Sequence, residues 1–112
     1  MKAKIWPDDP SMVAIQCPGC ATEGIRFHWM RVKDNKKGKK VHDFNGDFEK
    51  PTFSPSLNHE RTEWVSHDEQ KYIHCHSFVR NGMIQFLNDC THDLRGKTVH
   101  LPDIEEEQND PR

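Results

Sequence analysis

The chain has 112 residues, a net charge of −2 at pH 7, and 33% hydrophobic against 30% charged residues, enough for one domain with a thin core. That charge excludes a nucleic-acid binder acting by bulk basicity, and no apolar run approaches the roughly 20 residues of a membrane span. The start, MKAKIWPDDP, lacks the apolar core of a secretory leader, so the expected compartment is the cytoplasm, where thiols stay reduced.

Residues Met1–Ile15 read as an extended entry. Pro7 and Pro10 frame a turn at Asp8-Asp9, and Met12–Ile15 is a short strand leading into Cys17-Pro18-Gly19-Cys20. Two intervening residues let both thiolates bind one ion, with Gly19 expected to supply the bend. In a reducing compartment, four cysteines with one C-x-x-C pair favour a metal over disulfides, and no βαβ pattern surrounds the pair to suggest a thioredoxin-like couple. Ile25–Lys33 alternates as a half-buried strand, with Ile25, Phe27 and Trp29 opposite Arg26, His28 and Met30. Lys36, Lys37, Lys39 and Lys40 surround Gly38 in a hairpin tip, and Val41–Phe44 is the returning strand.

Pro51 and Pro55 stand four residues apart, which excludes a central strand or helix interior and predicts an ordered loop or an edge. Phe44, Phe48, Phe53 and Leu57 can anchor it, while Thr52, Ser54 and Ser56 present hydroxyls that satisfy nearby backbone or line one wall of a pocket. A strand candidate follows at Thr62–Val65, then a polar turn at Ser66–Gln70.

The most informative stretch is Tyr72–His92. Two apolar-rich runs flank Asn81-Gly82, the dipeptide suited to a type I′ turn because both central residues need positive φ. The implied register sets Arg80 against Met83, Val79 against Ile84 and Phe78 against Gln85, and continues until Ile73 meets Cys90. Because side chains alternate, Cys75 and Cys90 then share one face, while His74, His76, Phe78 and Arg80 share the other with Met83, Gln85, Leu87 and Asp89. Thr91–Gly96 suggests one helical turn and Lys97–Leu101 a last strand. The expected fold is mainly β: a single small antiparallel domain over residues 1–102, stapled by a zinc site, with little helix. Residues 103–112 are expected to be an acidic, flexible tail, either a frayed helix or disordered.

The blocks CPGC at Cys17–Cys20, FNGDFEKPTFSPSL at Phe44–Leu57 and CHSFVRNGMIQFLNDCTHDLRGKTVHLP at Cys75–Pro102 resemble a family of small uncharacterised phage and prophage proteins. Members of that family are often mislabelled ammonia monooxygenase, and related domains occur near ubiquitin-like conjugation genes. The resemblance implies a zinc-binding phage-type accessory protein that engages a protein partner in the host cytoplasm.

The expected metal ligands are Cys17, Cys20, Cys75 and Cys90, with His92 or His76 as alternates for Cys90. Zn2+ would be structural, closing a loop of roughly fifty residues whose entropy an ion binding at ~10 kcal/mol can offset. A possible pocket would comprise Thr52, Ser54, His76, Asp89 and His92.

These residues favour a binding or adaptor module over an enzyme. A small zinc hydrolase using the histidine–aspartate cluster is the alternative, since a carboxylate can orient a histidine as general base. Nucleic-acid binding through the Lys33–Lys40 loop, with Arg26 or Arg31, is the second alternative.

Overall fold

The small apolar complement is used by two antiparallel sheets that close on one shared core. A computed structural model describes residues 1–20 and 27–104. Among the described residues there are eight strands and no helix, in agreement with the expected mainly β class. The first sheet holds β1 (Ala3–Ile5), β2 (Met12–Gln16) and β3 (Phe27–Arg31) in the order β1-β2-β3. The second holds β4 (Asp43–Phe44), β5 (Phe53–Ser66), β6 (Glu69–Arg80), β7 (Met83–Phe86) and β8 (Thr98–His100) in chain order.

Alternation sorts the side chains. Val13 and Ile15 of β2 and Met30 of β3 point inward to meet Phe53, Leu57, Cys75, Val79, Ile84 and Phe86 of the second sheet. On β3 the buried residues are His28 and Met30, while Trp29 stays half exposed and stacks on Trp6 with ring centroids 5.0 Å apart. Ile25 and Arg26 lie outside the described residues.

The hairpin forms in the register the sequence implied: Arg80 pairs with Met83, Val79 with Ile84 and Phe78 with Gln85. Asn81 and Gly82 have φ of 52° and 78°, as a type I′ turn requires. The ladder stops at Ser77 and Phe86, short of the expected Ile73–Cys90 pair. Past that point the turn-forming residues Asn88 and Asp89 bend the chain, with the Cys90 amide donating to the Leu87 carbonyl at 3.2 Å. The Leu87 and Thr91 amides still donate to the carbonyls of His76 and His74, both at 2.9 Å, and hold the bend against β6.

Three other expectations change. The proline segment is no edge: Pro55 lies inside β5, one strand in from β4. It is tolerated because β5 is bulged there, with Ser54, Pro55 and Ser56 set between the pairs Phe53–Val79 and Leu57–Ser77 where β6 has Phe78 alone. The expected return of Val41–Phe44 beside the third strand reduces to the Val41 and His42 amides, which donate to the Arg31 carbonyl at 2.9 and 3.1 Å, while β4 itself pairs with β5. Thr91–Gly96 is a pair of turns rather than helix, ending at Gly96 with φ of 78°. Of the acidic tail, Ile104 is buried and its amide donates to the Met1 carbonyl at 2.7 Å, while residues 105–112 lie outside the described ones.

Candidate functional site

Strand β6 carries chemistry on both faces. Inward, Cys75 meets the knuckle that follows β2, and the ligand atoms of Cys17, Cys20, His28 and Cys75 all lie within 4.8 Å of one another, every residue buried. The Cys17 and Cys75 sulfurs are 3.9 Å apart, and Cys20 Sγ is 3.3 Å from His28 Nε2. Thiolates ~2.3 Å from a tetrahedral ion would be about 3.8 Å apart, with a sulfur–nitrogen edge of about 3.5 Å. The cluster could therefore hold a metal ion with little rearrangement. Hydrogen bonds from Cys20 and then Cys75 hold the Cys17 thiol far below its ordinary range, and the contact with Cys17 pushes Cys75 up. The knuckle is further tied by the Cys20 amide, which donates to Cys17 Sγ at 3.3 Å.

In that cluster His28 joins the expected Cys17, Cys20 and Cys75, and Cys90 lies outside it. The structure groups Cys90 and His92 with Cys75 in a second buried set that overlaps the first. The Cys90 thiol donates to the His76 carbonyl at 3.2 Å and accepts from the His76 amide at 3.3 Å, so it completes the β6 ladder after the strand pairing has stopped. Burial pushes its pKa up. In His92, Nδ1 accepts from the Leu94 amide at 3.2 Å, which leaves the proton of the neutral ring on Nε2, 3.5 Å from Cys75 Sγ. His92 thus donates to a cluster sulfur. A Cβ on Gly19 would collide with the His92 ring, and the φ of Gly19 is not positive, so close approach and not the expected bend demands glycine there.

On the outer face of the β5–β6 ribbon the bulge aims Ser56 at His76. Ser56 Oγ is 3.1 Å from His76 Nε2, and His76 Nδ1 is 3.1 Å from Asp89 Oδ2. The hydrogen bond from His76 holds the Asp89 carboxyl below its ordinary range, so Asp89 is an ionised acceptor. It fixes the proton on Nδ1 and turns the Nε2 lone pair towards the serine hydroxyl. Both distances lie within the reach of a nucleophile, its base and the group that orients the base. His74 supports the arrangement from beside it: its Nδ1 donates to the Asp89 carbonyl at 3.0 Å and its Nε2 meets the Asn58 carboxamide at 2.7 Å.

A family model matches residues 2–87, more than half of the chain, and its description is bacterial ubiquitination-like system serine protease (BubE). The chain belongs to the BubE family. Neither the curated proteins nor the solved structures gave a match. The matched span includes Ser56, His76 and all four residues of the Cys17–Cys20–His28–Cys75 cluster, and Asp89 follows two residues after it. Membership supports the link to ubiquitin-like conjugation that the sequence blocks implied.

Of the expected pocket residues, His76 and Asp89 come together, while the others go elsewhere. Thr52 Oγ1 accepts from the Asn81 amide at 2.8 Å and serves the hairpin turn. Ser54 is exposed opposite Asp43, and His92 is buried on the inner side. Among the described residues no helix is long and apolar enough to cross a membrane.

Proposed function

We propose that this chain is a serine hydrolase of a bacterial ubiquitination-like system, with Ser56 as nucleophile, His76 as general base and acid, and Asp89 as the residue that orients His76. The observation that carries the proposal is the unbroken pair of 3.1 Å contacts from Ser56 Oγ through His76 to Asp89. The family's description as a serine protease supports it independently of the geometry. Ser56 Oγ attacks a carbonyl carbon as its proton passes to His76 Nε2. Collapse of the tetrahedral adduct expels an amine or alcohol, which takes that proton. Water, deprotonated by the same nitrogen, then releases the acyl group and restores Ser56. In a ubiquitination-like system the bond concerned would join a modifier to its target, so the partner is a protein.

The metal in this reading is zinc, and its role is structural. Cys17, Cys20, His28 and Cys75 would supply four protein donors, the full complement of a structural zinc site. A zinc hydrolase needs an open position, and that alternative loses its support. The nucleic-acid reading loses support as well, because Arg31 Nη1 bonds Asp9 at 3.1 Å and Lys40 pairs with Asp43 at 2.8 Å. An adaptor role survives as the binding half of a hydrolase, and a chain carried on phage DNA would act in the host cytoplasm.

The test is steady-state hydrolysis of an activated ester and of a modifier–target conjugate. Ser56→Ala and Asp89→Asn should each lower kcat by roughly 10³-fold or more, Ser56→Ala without moving the melting temperature. Undiminished turnover by Ser56→Ala would contradict the assignment.

A further inference from the structure

Strand β5 has neighbours on both sides only at its start. β4 pairs with Phe53 and Ser54, and from Ser56 to Ser66 the described residues place no strand on that side. Register shows which groups the bare edge presents. His76 and His74 turn their carbonyls away from β5, to the Leu87 and Thr91 amides. In an antiparallel pair, a residue that bonds away from the neighbouring strand stands opposite one that does the same. Their β5 partners, Asn58 and Glu60, therefore direct amide and carbonyl out from the free edge, and both residues are exposed. β3 is the end strand of the other sheet, so two strand edges border one cleft of about 330 Å3. Phe27–Met30 of β3 line it, with His42 and with Leu57, Asn58, His59 and Arg61 of β5.

We infer that this edge docks an extended segment of a protein partner, added as a strand beside Asn58 and Glu60, with an acidic side chain turned into the cleft. Outward-pointing amides and carbonyls on a strand edge are a template for another strand, which supplies main-chain affinity while the side chains of one face set the preference. The preference follows from the lining. Among the described residues Arg61 is its one side chain of fixed charge, and no carboxylate lies there. The ion pair of Arg61 with Glu63 is part-exposed, the kind that contributes little and is readily shared with a second carboxylate. On the same walls His42 Nδ1 and His59 Nε2 are buried without a hydrogen-bond partner, which is bonding capacity that a polar guest can use. Phe27, Met30 and Leu57 remain to pack on the methylenes of that side chain. The inference stands apart from the hydrolase reading, since it needs no role for the Ser56 hydroxyl. The Ser56 carbonyl accepts from His42 Nε2 at 3.3 Å and marks where the free edge begins.

The experiment follows the Asn58 and Glu60 amides by two-dimensional NMR during titration with the peptide Thr-Val-Thr-Glu-Thr-Val-Thr and with its version carrying lysine at the centre. Those two amides should shift, and the glutamate peptide should bind about 5-fold or more tightly than the lysine one. Arg61→Gln should remove most of that difference. Methylating the peptide's own amides tests strand pairing on the native protein, whatever becomes of the variant. One alternate set should abolish binding and the other should leave it, because only every second amide faces β5. No shift at Asn58 and Glu60 with either peptide would overturn the site. Equal loss from both methylated sets would overturn strand addition, and equal affinity for the two peptides would overturn the acidic guest. Exchange protection of the same amides that rises with protein concentration, with no peptide present, would overturn the assignment in favour of a second copy of this chain.

Discussion

The two faces of β6 invite comparison. Inward, Cys75 joins a fully buried cluster whose atoms come from the end of β2, from β3 and from β6, so its geometry depends on the whole fold. Outward, one residue either side of it, His76 and His74 face a site open to solvent, with the Asp89 side chain 51% exposed, built from β5, β6 and the bend that follows β7. The period of two along a strand is what lets adjacent residues serve such different chemistry. The inner site ties distant chain segments together; the outer one is positioned by a ribbon that the inner site holds in place.

That contrast yields predictions of graded size. The largest concerns the inner face: Cys75→Ala, or removal of metal by a strong chelator, should unfold the domain cooperatively, lowering stability by several kcal/mol, and abolish outer-face activity as a consequence. Circular dichroism with and without chelator reads this directly. A folded, active, metal-free protein would dissolve the dependence of one face on the other.

A smaller effect is expected at the contact between knuckle and bend. Gly19→Ala drives a methyl into the His92 ring, so the 90–92 segment has to shift, at a cost of about 1–3 kcal/mol. Because Asp89 adjoins that segment, kcat should fall along with the melting temperature, and a variant that lost one without the other would sharpen where the coupling runs.

The smallest effect is electrostatic. The Asp89 carboxyl, lowered chiefly by its bond from His76, and the Asp9 carboxyl, lowered chiefly by the Ser11 hydroxyl, have folded values below their unfolded ones. Their contribution is present above the unfolded value of about 3.9 and is lost as pH falls through the folded values. The gap in melting temperature between the native protein and Asp9→Asn should therefore shrink as pH is lowered from 6 towards 3. A gap that stayed constant would argue against an ionised Asp9 in the fold.

Much of this was legible in the residues, for identifiable reasons. Asn81-Gly82 dictates a turn and hence a register that separates Cys75 from His74 and His76, while the bend after β7 brings Asp89 beside them. Cys17-Pro18-Gly19-Cys20 announces a metal knuckle by its spacing. The fourth member of the buried cluster was harder to read: His28, one of eight histidines, was visible on an alternating strand, but which side of that strand faces the core depends on packing against the second sheet. Ser56 was one of three hydroxyls in a proline-rich stretch. What singles it out is a β-bulge, and the extra residues of a bulge change strand phase in a way that side-chain alternation does not report. The prolines that suggested a loop are themselves accommodated by that bulge.

The most direct measurement is the position of covalent modification after reaction with a fluorophosphonate, mapped by peptide mass spectrometry on the metal-loaded protein. The account predicts one adduct, on Ser56, that is lost in His76→Ala while the fold persists. An adduct on Ser54 or Ser77, or none on a folded protein that still hydrolyses its substrate, would contradict it.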